Sequence, residues 1–213
     1  MILGANAFPR DIDVVVEDGT VPQIVKRYEQ HNVQFTRFGG VRLVFGELHV
    51  DVWPLKSTWT FRKSLNDASF SNLPKTAFLN IEAIATTIGR TNDEFCIYSA
   101  GFFEAVSDRI VEINSYDAAS PMICILRALN IMRIFNFRLG PRLARYITEN
   151  RDLILSKDFE KAQVRRYGDL IFNMSDLHRQ CELMRRMLEF NTATNAGWLP
   201  INVVAETDHK TKS

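Results

Sequence analysis

The stretch DIDVVV at residues 11–16 decides the fold that we predict for this chain. Its β-branched residues favour an extended strand, and successive side chains of a strand point to opposite faces. Asp11 and Asp13 therefore share one face, and the apolar side chains at positions 12, 14 and 16 share the other. The stretch predicts a core strand that carries two carboxylates on one side.

The residues that follow predict a helix and then an antiparallel meander. Thr20 and Pro22 are helix-start signals, and we expect the helix to end near Gln30. Two turn signals, Gly39-Gly40 and Gly46-Glu47, separate segments with strand character. These segments are residues 33–38, 41–45 and 48–53.

The second half of the chain changes from strands to helices. Residues 78–88 and 95–98 flank the polar sequence GRTN at 89–92, which favours a hairpin, with a helix as the alternative for the first segment. We expect the sheet to end near Ile113. From Pro121 the strand alternation is lost and the sequence favours helices. The expected helices are residues 122–137, 141–155, 157–172 and 175–190.

These elements predict an α+β fold, in which a head with a mixed or antiparallel sheet is followed by a helical region. The expected domains are a head at residues 1–115, a helical region at 116–190 and a flexible tail at 191–213. A chain of 213 residues with 46% hydrophobic content can bury a core of this size.

The overall composition restricts the classes of partner and compartment. Lys and Arg number 26 against 25 Asp and Glu, so no global charge drives nucleic-acid or membrane binding. Three scattered cysteines indicate reduced thiols rather than a disulfide framework. No apolar run approaches the roughly 20 residues that span a bilayer. We therefore expect a cytoplasmic protein without a membrane partner.

A third carboxylate follows on another predicted strand. In LHVDVW, residues 48–53, Asp51 is flanked by apolar residues and could approach Asp11 and Asp13 if the two strands are neighbours. Adjacent carboxylates repel each other unless a cation lies between them. Oxygen ligands suit Mg²⁺, with Mn²⁺ as the alternative, and a pair of such ions serves phosphoryl transfer. Asp51 is also the candidate general base.

Simpler interpretations compete with this one. A lone D-x-D is common, and Asp11 and Asp13 alone are equally explained by a solvated strand face. Asp51 alone is better explained by the exposed face of an edge strand. The three residues together are more specific than any part, and no Walker loop or dinucleotide fingerprint offers another enzyme class.

Several stretches in the same order resemble the head domain of poly(A) polymerases and CCA-adding tRNA nucleotidyltransferases, within the DNA polymerase β-like nucleotidyltransferases. The matching stretches are residues 3–4, 9–15, 41–53, 78–85, 125–129 and 135–139. The resemblance implies transfer of a nucleoside monophosphate from an NTP to an acceptor hydroxyl. It implies that Asp11, Asp13 and Asp51 are the metal-binding and catalytic residues. Arg127 resembles a family position, and Arg62 follows the Asp51 strand, so both are candidate nucleotide-binding residues.

The chain departs from the family pattern in three ways. The family begins with a strand and a helix carrying a glycine pair that holds the triphosphate, and we expect Met1 to fall after that element. In the family, a pair of acidic residues and an arginine select the base, and this chain has no convincing counterpart of them. The helical part of the chain is also short for binding tRNA. The acceptor is therefore open between an RNA end, a protein and a small molecule. The alternative function is a catalytically degenerate binding or regulatory module.

Overall fold

The structure is a computed structural model that describes residues 11–17, 20–36, 39–63, 67–87, 95–117 and 120–194. The chain divides into two compact units, which are Met1–Thr76 with Ala85–Tyr98, and Ala77–Ile84 with Ser99–Ser213. The expected division into domains at residues 115 and 190 stays a prediction.

The first unit is built on a four-stranded mixed sheet. Its strands are β1 (Asp11–Val16), β2 (Asn32–Phe35), β3 (Val41–Phe45) and β4 (Leu48–Pro54), in the spatial order β1-β4-β3-β2. Strand β1 runs parallel to β4, whereas β4, β3 and β2 form the predicted antiparallel meander. Helix α1 (Val21–Arg27) follows β1, with Pro22 in its first turn and the Thr20 amide donating to Gln23 Oε1 at 2.8 Å.

One face of this sheet carries the core of the first unit. Ile24 of α1 is buried against Val41, Leu43 and Val52 of the sheet. The apolar residues of β1 at positions 14 and 16 pack against the same cluster. Since side chains alternate along a strand, this burial directs the intervening residues of β1, β3 and β4 to the opposite face.

The remainder of the first unit contains short elements. A 3₁₀ turn (Leu55–Ser57) leads into α2 (Trp59–Lys63), a helix that was not predicted from the sequence. A second 3₁₀ turn spans Leu73–Thr76. Strands β5 (Ile84–Thr86) and β6 (Ile97–Ser99) pair with each other where the chain passes between the units. The predicted hairpin is thus present, and its predicted turn at residues 89–92 lies outside the described residues.

The second unit is mainly helical. Its elements begin with a 3₁₀ turn (Asn80–Glu82), α3 (Phe102–Asp108), β7 (Ile110–Val111), α4 (Pro121–Phe135) and β8 (Arg138–Leu139). They continue with α5 (Pro141–Glu149), α6 (Arg151–Ile154), α7 (Lys157–Tyr167) and α8 (Met174–Thr194). No helix in these described ranges is long and apolar enough to cross a bilayer.

Three expectations for this unit were wrong in detail. Strand structure does not end near Ile113, because β8 follows α4 and pairs in parallel with β7 in a separate two-stranded sheet. Helix α4 ends at Phe135, and Asn136 after it adopts a left-handed conformation with φ 52°. The helix expected at residues 141–155 is divided at Asn150 into α5 and α6. The helix expected at residues 157–172 ends at Tyr167, because Gly168 takes φ 82°. Helix α3 was not predicted.

The start of α5 is fixed by a partly buried acidic side chain of the same unit. Glu112 Oε1 accepts the Leu143 amide at 2.7 Å, and Glu112 Oε2 accepts the Arg142 amide at 3.0 Å. These amides have no partner within the helix, and a carboxylate there also interacts favourably with the helix dipole. Gly140 and Pro141 begin the helix as the sequence predicts.

Candidate active site

The face of the sheet opposite the core carries a cluster of charged side chains. We call it the polar face and define it by Asp11, Asp13, Arg42, His49 and Asp51. In the parallel pairing of β1 with β4, Asp13 lies opposite Asp51 and Asp11 lies opposite His49. In the antiparallel pairing of β4 with β3, Asp51 lies opposite Arg42. The structure therefore brings the three predicted carboxylates to one face of neighbouring strands.

Asp51 is bound by Arg42 on both of its oxygens. Arg42 Nε donates to Asp51 Oδ1 at 2.7 Å, and Arg42 Nη2 donates to Asp51 Oδ2 at 2.7 Å. The Arg42 side chain is 36% exposed and that of Asp51 19%. This fork-to-fork geometry is the strong form of an arginine–carboxylate pair. It fixes the plane of the Asp51 carboxylate.

The Arg42 guanidinium also interacts electrostatically with the other carboxylates of the polar face. The hydrogen bond to Asp51 raises the pKa of Arg42, and the charges of Asp51, Asp11 and Asp13 raise it further, against the opposing effect of burial. Arg42 is therefore a permanent cation beside three carboxylates.

His49 is the second basic residue of the polar face. His49 Nδ1 lies 3.1 Å from Asp11 Oδ1, within hydrogen-bonding distance. Neither Arg42 nor His49 was predicted from the sequence to be part of the site. A signal for Arg42 exists in the sequence: a turn at Gly46-Glu47 pairs residue 45 with 48 and, three residues further along each strand, Arg42 with Asp51.

The carboxylates match a divalent metal in chemistry but not in arrangement. Carboxylate oxygens are the ligands that Mg²⁺ and Mn²⁺ take. Within the described residues, however, no group of three or more His, Cys, Asp or Glu side chains is placed to hold a metal ion. Arg42 accounts for part of this difference, because it occupies both oxygens of Asp51.

Solved structures share this fold. A tRNA nucleotidyltransferase complexed with a primer tRNA and an incoming ATP analog matches with 19% identity and a TM-score of 0.52, over 93% of this chain and 65% of that one. A CCA-adding enzyme with CTP matches with 15% identity and a TM-score of 0.58, over 90% of this chain and 45% of that one. The Thermotoga maritima CCA-adding enzyme complexed with tRNA matches with 16% identity, a TM-score of 0.58 and the same coverage.

The chain has a nucleotidyltransferase fold. The predicted α+β class and head fold are confirmed by these similarities. The chain spans less than two thirds of the length of these solved structures. No family model matches the sequence, and no curated protein matches it.

The two arginines predicted to bind nucleotide lie in different elements. Arg62 lies in α2 and is exposed, with its guanidinium against Gly39: a β-carbon built on Gly39 would meet Arg62 Nη2 at 2.8 Å. Arg127 lies in α4 of the second unit, where it forms an ion pair with Glu82. Their assignment to nucleotide binding stays a prediction, as does the assignment of the three aspartates to catalysis.

Proposed function

We propose that this chain is a nucleotidyltransferase that moves a nucleoside monophosphate from an NTP to an acceptor hydroxyl. The observation that carries the proposal is the register of β1 with β4, which sets Asp13 opposite Asp51 on a face shared with Asp11. The proposal is also supported by the fold, which the chain shares with a tRNA nucleotidyltransferase and a CCA-adding enzyme.

In the proposed reaction, the acceptor supplies the attacking hydroxyl and the carboxylates of the polar face assist the attack. The acceptor hydroxyl attacks the α-phosphorus, a new P–O bond forms, the α–β bridging P–O bond breaks, and pyrophosphate leaves. Asp51 takes the proton of the attacking hydroxyl. By their donor chemistry, Asp11, Asp13 and Asp51 are the residues that would hold Mg²⁺ or Mn²⁺, which when bound would supply charge stabilisation to the phosphoryl oxygens.

Two arginines are candidates for binding the phosphates of a nucleotide. Arg62 of the first unit and Arg127 of the second are each proposed for this role, since guanidinium groups form paired hydrogen bonds to phosphate oxygens. An RNA end is the first acceptor to test, because solved structures with this fold hold a primer tRNA or tRNA. A protein or a small-molecule hydroxyl is the second.

One observation favours the alternative of a catalytically degenerate binding or regulatory module. Both oxygens of Asp51 are bound to Arg42, so the guanidinium competes with an acceptor hydroxyl for the oxygens of the proposed base. In such a module the pair would be permanent, and the polar face would bind ligands without transferring a nucleotide.

A transfer assay separates the two functions. The purified chain is incubated with Mg²⁺, each α-labelled NTP and, separately, cellular RNA, protein and small molecules. We expect label in one acceptor class with the wild type, and Asp13→Asn to reduce the rate at least about a hundredfold. Asp67→Asn is the matched control, because it makes the same chemical change at an exposed position outside the polar face. Equal rates for the wild type and Asp13→Asn would contradict the proposal.

A further inference from the structure

One edge of the four-stranded sheet is open within the part of the chain that the structure describes. Strand β2 is the last in the order β1-β4-β3-β2 and pairs with β3. The Thr36 amide donates to the Gly40 carbonyl at 2.9 Å, one position beyond the last pair of β2 with β3. Hydrogen-bonded and non-hydrogen-bonded pairs alternate along antiparallel strands. The backbone groups of Gln34 therefore point to β3, and the amides and carbonyls of Val33 and Phe35 point to the open edge.

The side chains at this edge are uncharged and partly apolar. The register of β2 with β3 is continuous over residues 32–35, whose sequence NVQF contains neither proline nor a charged residue. Natural edge strands usually carry such features, which stop them from pairing with other strands. Phe35 is 74% exposed, the highest fraction among the large apolar side chains of the described residues. It lies opposite Val41, which is fully buried, so the apolar layer of the sheet continues to the edge and ends on an exposed ring.

We propose that β2 pairs with β2 of a second copy of this chain, antiparallel and across a two-fold axis, so that the two sheets form one continuous sheet. The open backbone groups belong to Val33 and Phe35. The register that uses all of them sets Val33 of each copy opposite Phe35 of the other, and each such pair exchanges both of its N–H···O bonds. Gln34 of one copy then lies at the axis, opposite Gln34 of the other.

The sequence of the strand suits pairing with itself. In this register Asn32 faces Thr36 of the other copy, so charged side chains do not meet along the strand, where like charges directly opposite each other would be destabilising. Phe35 of one copy covers Val33 of the other, which already packs on the core. The amides of the two Gln34 side chains have the donors and acceptors to hydrogen-bond across the axis. The edge is thus self-complementary, as a two-fold interface requires.

The association should be weak and reversible. Strand β2 is four residues long, so its pairing buries less than the roughly 800 Å² per partner of a standard interface. We expect a dimer with a dissociation constant on the order of 100 µM. Association is measured without nucleotide, so its outcome does not depend on the proposed function.

The test is sedimentation velocity of the full chain at concentrations on both sides of this value. Gln34→Lys and Gln34→Glu each place like charges opposite each other at the axis, and we expect each to weaken association about fivefold. An equimolar mixture of the two variants places opposite charges there, and we expect association within about twofold of the wild type. Phe35→Ala removes the ring that covers Val33 and should weaken association about tenfold.

Matched controls make the same changes away from β2. Gln30 and Phe95 are exposed in the same unit, outside the strand. Gln30→Lys, Gln30→Glu and Phe95→Ala should associate as the wild type does. Gln34 and Phe35 are exposed and the sheet is held by its core, so the variants should fold. The far-ultraviolet circular dichroism and the urea midpoint of each variant verify this.

Three results would overturn the inference. The first is a wild type that stays monomeric at about ten times the expected dissociation constant, which would leave the edge to a strand of another protein. The second is a dimer that the variants at Gln34 and Phe35 weaken no more than the controls do, which would place the contact elsewhere. The third is a mixture of the two Gln34 variants that associates no better than either alone, which would exclude the two-fold register at Gln34.

Discussion

Replacing Gly140 with alanine should destabilise the second unit through a single contact. Gly140 precedes α5 with φ −80° and ψ 163°, a conformation open to any residue. An alanine β-carbon there would lie 2.6 Å from Glu112 Oε2 and 2.8 Å from Glu112 Cδ. Both distances are well inside van der Waals contact, so one of the two groups must move.

The carboxylate cannot move without losing hydrogen bonds. Glu112 accepts the amides of Arg142, Leu143 and Ile113, at 3.0, 2.7 and 2.7 Å. A hydrogen bond to a charged group contributes about 1.5–3 kcal/mol, and the reduced entropy of the unfolded chain with alanine returns about 0.4–1 kcal/mol. If one to two of these bonds are lost, the free energy of unfolding falls by about 3 kcal/mol.

Urea denaturation of Gly140→Ala, Glu112→Ala and the double variant measures this effect. The loss of about 3 kcal/mol corresponds to a midpoint about 1–2 M lower. Once Glu112 is truncated, alanine at 140 has no carboxylate to meet and should cost less than about 1 kcal/mol, which gives a coupling energy of about 2 kcal/mol. An equal cost of Gly140→Ala in both backgrounds would refute this account of the α5 start.

Two further predictions concern buried polar groups of the second unit. Gln163 is fully buried, and its side chain forms hydrogen bonds with two amides and one carbonyl of residues 171–172. Gln163→Leu should therefore lower the free energy of unfolding, measured in urea, by about 3 kcal/mol. A loss below about 1 kcal/mol would contradict a stabilising role of these hydrogen bonds. Burial raises the pKa of the thiols of Cys124 and Cys181 and of the Tyr146 hydroxyl. Because each group ionises more readily when unfolded, stability should be full below about pH 8.5 and fall above it, by up to about 1.4 kcal/mol per pH unit per group. Urea midpoints at pH 7.5 and 9.5 check this, and replacing both cysteines with alanine should reduce the fall.

The sheet of the first unit could be predicted because its signals are local. Asp11 and Asp13, which alternate with Ile12 and Val14, define β1 and the faces of its side chains, and the turn at Gly46-Glu47 sets the register of β3 with β4. The parallel pairing of β1 with β4 has no local signal, since it joins segments separated by a helix and two strands.

The elements that were missed depend on partners elsewhere in the chain. Strand β8 is only two residues long, and its pairing with β7 defines it. Helix α3 starts after Gly101 in a left-handed conformation with φ 87°, and the Ser99 hydroxyl accepts the Phe102 amide at 3.2 Å. Such short elements carry too few residues for a periodic pattern.

The sequence predicted the three acidic residues of the polar face, but its two basic residues, Arg42 and His49, were not predicted. Asp11, Asp13 and Asp51 are unusual among apolar strand neighbours, and this contrast identifies them from sequence. Arg42 stands among apolar residues in the same way, yet an isolated arginine on a strand suggests an exposed position. Its importance follows only from register, which sets it opposite Asp51.

The most direct test of the central claim follows the two ends of the triphosphate separately. The chain is incubated with Mg²⁺, the acceptor class found in the transfer assay, and the same NTP labelled either at the α- or at the γ-phosphate. Nucleotidyl transfer predicts that the α-label enters the acceptor while the γ-label appears as pyrophosphate, and that Asp13→Asn slows both at least about a hundredfold. Release of the γ-label as inorganic phosphate without α-label in the acceptor, or the absence of any turnover, would contradict it.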